Sequence, residues 1–89
     1  MNNKSRAELV KEIESEYHSK IRELETQLRS EHNELHKVEK LIEHESKKTD
    51  HFNKSHLNAK KAKINTSIHA IRKEIKQLKK DRSKKLKKL

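Results

Sequence analysis

The stretch Ser46-Lys47-Lys48-Thr49-Asp50-His51-Phe52-Asn53-Lys54-Ser55-His56 decides the fold. It holds one large apolar side chain, Phe52, among several residues whose short polar groups bond nearby backbone and favour caps and turns. On either side, apolar residues recur at steps of three and four, the spacing of one helix face. Upstream the ridge is Val10, Ile13, Tyr17, Ile21, Leu24, Leu28, Leu35, Val38 and Ile42. Downstream it is Ile64, Ile68, Ile71, Ile75 and Leu78, with Arg82 and Leu89 in phase. Carried forward, the first ridge reaches Thr49, Phe52, His56 and Ala59; carried backward, the second asks for Leu57 and Lys61. The two ridges miss by one residue, about 100° of helix rotation. One straight helix cannot keep both on a single face, and a turn between them removes the conflict.

The expected fold is therefore all-α, an antiparallel helical hairpin or coiled coil that self-associates. Its parts are a frayed N-terminus over 1–4, an acidic-leaning helix over 5–47, a turn over 48–54, and a basic helix with a lysine-rich tail over 55–89. The alternative is one long helix in a parallel coiled coil. The chain lacks glycine and proline, the two strongest helix breakers, and is rich in helix-forming Glu, Lys, Leu, Gln and Arg. Ser5-Arg6-Ala7-Glu8 fits the S-x-x-E capping box and marks the first helix start. Asp50, Asn53 and Ser55 are the candidate caps for the second. The helix–helix seam falls to Ile21, Leu24, Leu28, Leu35, Val38 and Ile42 against Ile64, Ile68, Ile71, Ile75 and Leu78. The two successive four-residue steps at Ile13–Tyr17–Ile21 form a local stutter. Glu31 takes a seam position between Leu28 and Leu35, where a carboxylate is costly unless it meets a basic partner. With 28% hydrophobic and 43% charged residues, a lone hairpin has little apolar material for a core. Association into a four-helix arrangement, or docking on a larger partner, would cover what remains.

Charge divides at the same place. Up to Glu45 there are eight basic and eleven acidic side chains; from Ser46 onward, sixteen basic residues face only Asp50, Glu74 and Asp81. The two parts carry −3 and +13 of the +10 total. An antiparallel hairpin lays the glutamate-rich arm along the lysine-rich one, but −3 cannot neutralise +13, so the excess points to an external partner. Its candidate contact residues are Lys60, Lys61, Lys63, Arg72, Lys73, Lys76, Lys79, Lys80, Arg82, Lys84, Lys85, Lys87 and Lys88. On a helix, Lys73, Lys76, Lys80, Lys84 and Lys87 form one band that can follow a phosphate backbone. The bland counterpart is a solvated face that complements its helix C-terminus and the acidic arm.

Other chemistries find less support. Without cysteine there is no disulfide, thiolate site or thiol nucleophile. His32 and His36 stand four apart and are the one candidate metal pair, but His-Asn-Glu-Leu-His departs from H-E-x-x-H, and exposed polar histidines are the simpler reading. Fully protonated, the seven histidines would raise the formal charge from +10 to +17 and strengthen anion binding. No glycine phosphate loop or nucleophile elbow is present, so no enzyme, cofactor or small-molecule substrate is expected. No apolar run approaches the roughly 20 residues of a membrane span, and the start MNNKSRAELVKEI lacks the apolar stretch of a secretory signal. A cytoplasmic protein is the expectation. The basic tail offers only Leu78, Leu86 and Leu89 for insertion at a membrane surface, so membrane contact is disfavoured.

Two functions follow from these features. The first is a non-catalytic protein-binding adaptor, inhibitor or assembly factor that sets a coiled-coil surface and a basic C-terminal helix against a larger acidic protein. The alternative is a sequence-nonspecific nucleic-acid-binding module that contacts phosphates through that lysine-rich helix. Five arginines and two aromatics are few for bidentate base reading or for stacking on single strands. Small helical proteins of mobile elements and phage scaffolding proteins share the general layout of a helical association segment with a basic end. That likeness is one of design, with no motif behind it.

Overall fold

The computed structural model describes residues 4–45 and 51–89, with side chains for all of these except 51–54. Two helices make the fold: α1, Arg6–Glu45, and α2, His51–Lys87. Lys85 lies over the Tyr17 ring and Arg72 reaches His32, so the helices run antiparallel as a hairpin. The result is a rod of 70 × 16 × 15 Å. One continuous helix is thereby excluded, as the slip between the two ridges requires.

Local chemistry sets the helix ends. Ser5 Oγ accepts the Glu8 N–H at 3.2 Å, and Ser5 O accepts the Leu9 N–H at 3.0 Å, closing the first turn of α1 where the S-x-x-E signature puts it. Glu8 lies in that first turn, at the positive end of the helix dipole, and Lys84, Lys85 and Lys87 lie in the last turn of α2, at the negative end. α2 begins at His51, four residues before the expected start at 55. Asn53 and Ser55 thus lie inside the helix instead of capping it. Asn and Ser are also tolerated within a helix, and no glycine or proline stops the helix from extending N-terminally. Residues 48–50 of the expected turn, Asp50 as a cap, residues 46–47 of the expected first helix and residues 1–3 of the lead-in all lie outside the described residues.

The seam residues pack, but into two clusters. Tyr17, Ile21 and Ile75 form one, with Ile13, Leu24, Leu28, Ile71 and Leu78 against them. Val38, Ile64 and Ile68 form the other, with Leu28, Leu35 and Ile42 alongside. Only Leu28 touches both. Glu31, the next seam residue, is partly buried and forms no ion pair among the described residues. The basic partner expected for it is absent there, because the seam residues that α2 presents are isoleucines. The nearby polar contact is between Arg72 Nη2 and His32 Nε2, at 3.2 Å across the hairpin. Both side chains are exposed, so this contact lies at the edge of the seam, where Leu28 joins the two clusters. Farther along α2, Leu57, Lys61 and Arg82 are partly buried, continuing the seam, whereas Leu89 is exposed and Leu86 takes the partly buried place instead.

Among the described residues, no ion pair joins the two arms. The pairs among them are Lys4–Glu12, Lys20–Glu16 at 3.3 Å and Lys37–Glu34 at 3.6 Å, all on α1 or its lead-in. Such exposed pairs contribute about 0–1 kcal/mol each. Burying one large aliphatic side chain contributes about 1.5–3 kcal/mol, so the two apolar clusters outweigh them. Val38, 1% exposed, is the most enclosed member.

Candidate functional site

α2 carries the candidate site, and its registry against α1 sorts the thirteen basic residues into two groups. Four are turned to internal use. Lys61 and Arg82 are partly buried along the seam. Arg72 is held by His32. Lys85 Nζ sits 5.1 Å from the centroid of the Tyr17 ring, which is itself buried and has Lys20 Nζ at 5.6 Å. This is cation–π geometry at an exposed site, a modest contact between the C-terminal end of α2 and α1. The Tyr17 phenol oxygen beside it raises the Lys85 ammonium pKa above the ordinary lysine value, and the Glu16 and Asp81 carboxylates add to the effect.

The other nine, Lys60, Lys63, Lys73, Lys76, Lys79, Lys80, Lys84, Lys87 and Lys88, are exposed and form no ion pair among the described residues. Lys76, Lys79, Lys80, Ser83, Lys84 and Lys87 line a shallow groove along the outer side of α2. Their spacing at three and four residues puts successive ammonium groups about one helical turn, 5.4 Å, apart. This segment is a row of point cations on a rigid support. Lysines so placed attract phosphates or carboxylates but supply no planar fork for bidentate recognition.

Along the lysine band from residue 72 to 87, the side chains suited to reading bases are engaged or partly buried. Gln77 Nε2 donates to Asp81 Oδ1 at 3.0 Å, Arg72 faces His32, and Arg82 is partly buried. Thr66 Oγ1 donates to Ala62 O of its own helix at 3.0 Å. Tyr17, 5% exposed, offers no stacking face.

The histidine pair does not gather as a metal site. His32 Nε2 is occupied by the Arg72 guanidinium, a fixed cation that opposes a second one. His36 lies in a separate shallow groove with Glu39, Lys40, Ile42, Glu43 and Lys61. Among the described residues no group of three His, Cys, Asp or Glu side chains is placed to hold a metal ion. No described helix is long and apolar enough to cross a membrane.

The contacts that Lys85 and Arg72 make with α1 are invisible in composition or in helical phase, since they depend on which residues of α1 stand opposite. Arg82 was in phase with the apolar ridge, and that was the one available signal. No family model, curated protein or solved structure matches this chain.

Proposed function

We propose that this protein is a non-catalytic binding module that holds the phosphate backbone of nucleic acid on the lysine face of α2. One observation carries the reading. The apolar seam is consumed inside the hairpin, and nine exposed lysines of α2 are left without ion pairs among the described residues. A face of this kind gains affinity by releasing condensed counterions from a polyanion. A cytoplasmic setting, with nucleic acid at hand, suits it.

A second reading, a protein-binding adaptor, inhibitor or assembly factor on a larger acidic partner, is favoured by two exposed leucines. Leu41 is 49% exposed on α1, and Leu89 is 38% exposed beside Lys87 and Lys88. Either can anchor an apolar contact, with a second copy or with another protein, while the lysines steer the encounter.

A pull-down of the full chain, split into nuclease-treated and untreated halves and paired with a mass measurement, separates the two. The nucleic-acid reading expects co-purifying nucleic acid and loss of every partner on nuclease treatment. One stoichiometric protein surviving nuclease would overturn it in favour of the adaptor.

A further inference from the structure

We infer that the nucleic acid this face takes is a duplex, held by its backbone without regard to sequence, and not a single strand. The inference rests on the phosphate-binding reading above and narrows its substrate. Single-strand modules gain about 1–3 kcal/mol per base from stacking on aromatic side chains. The described part of this hairpin presents no such platform, since Tyr17 is buried beneath Lys20 and Lys85. Sequence reading in the major groove relies on Arg, Asn and Gln forks. Along the lysine band those groups are Arg72, Gln77 and Arg82, and each is engaged or partly buried within the hairpin.

Shape works in the same direction. The band from Lys73 to Lys87 spans about 21 Å at the helical rise per residue. It is a straight row of cations on a helix braced by a second one. A duplex offers a stiff charge array of about one phosphate per 1.7 Å of axis. A flexible single strand must be ordered to match the row, at a cost in conformational entropy that a preformed array avoids. Counterion release also differs. Five lysines on five phosphates give a slope of log affinity against log salt of about −4.5 for duplex DNA and about −3.5 for a single strand. With the two affinities taken as equal at about 1 M salt, one power of salt concentration gives about a 20-fold preference for the duplex at about 50 mM.

The test is fluorescence anisotropy with the full chain. The probes are two duplexes of about 20 base pairs with unrelated sequences and an oligothymidine of equal length, titrated at about 50 and about 200 mM salt. Expected are equal affinities for the two duplexes within about twofold, and about 20-fold weaker binding of the single strand at the lower salt. Duplex affinity is expected to fall about 500-fold between the two salt concentrations. A single strand that binds as tightly as the duplexes overturns the inference and leaves the phosphate-binding reading standing. So does a preference for one duplex above about tenfold. No binding to any probe at the lower salt overturns the reading itself. Lys76→Gln, Lys80→Gln and Lys84→Gln, combined in one chain, keep helix-forming side chains at exposed positions. They are expected to leave the circular dichroism spectrum unchanged and flatten the duplex slope to about −2. An unaltered slope places the contact elsewhere and overturns the inference.

Discussion

Replacing Glu31 by leucine tests whether that carboxylate interrupts the apolar seam of the hairpin. Glu31 stands in the seam between Leu28 and Leu35, partly buried, at the break between the Tyr17 cluster and the Val38 cluster. Fully burying a leucine contributes about 1.5–3 kcal/mol relative to leaving it exposed, and a partly buried site realises about half, near 1 kcal/mol. Removing a carboxylate that is desolvated without an ion pair adds a few tenths. Glu and Leu have similar helix propensity, so the backbone contributes little to the difference. Glu31→Leu should therefore stabilise the hairpin by about 1.5 kcal/mol, a rise in Tm of about 6–12 °C for a domain of this size. Thermal melts followed by far-ultraviolet circular dichroism measure it, with the mass of the species checked so that any new association is seen. Glu31→Gln, which removes charge and adds no apolar area, should shift Tm by much less. If both substitutions lower Tm, the carboxylate is being held by the field of the α2 lysines, and the argument that it interrupts the core is refuted.

Two further predictions concern the two clusters. Val38→Ala removes buried methyl groups at the most enclosed position and should destabilise by about 2 kcal/mol, enough to unfold much of so small a hairpin, as urea titration would record. Lys85→Met removes the cation over Tyr17. The folded-state pKa of Lys85 is raised, so its contribution is fully present below the ordinary lysine value and is lost as pH rises through the folded one. The Tm advantage of the native chain over the variant should accordingly hold near neutral pH and shrink at strongly alkaline pH, above about 10.5. An advantage unchanged across that range would show that the ammonium charge plays no part.

The hairpin was legible because two independent patterns failed at the same place. The ridge phase slipped by one residue where turn-favouring residues gathered, and no packing knowledge was needed to see it. The Ser5 cap was legible because it is local, a hydroxyl reaching a backbone N–H three residues on. The start of α2 was not, since the polar residues at 51–55 accept either a cap or a helix interior and nothing in their identities arbitrates. The sorting of the lysines was legible only in part. Lys61 and Arg82 share the phase of the ridge, but Lys85 lies over an aromatic ring because Tyr17 happens to stand across from it. Such a pairing is a property of the register between helices, which no single helix encodes. The acidic arm misled in a similar way. Its glutamates suggested bridges to α2, yet among the described residues they pair within α1, where three- and four-residue spacing brings partners together before the arms meet.

The crowding of unneutralised lysines along α2 has one more consequence. Like charges at helical neighbour spacing repel, so the hairpin folds against a strain that no ion pair among the described residues relieves. Added salt screens that repulsion and steadies the fold, while the same salt weakens any grip on a polyanion. Ionic strength thus pulls the two properties in opposite directions. A bound phosphate backbone would do for α2 what salt does, so the hairpin should be at its most robust when its lysine face is occupied.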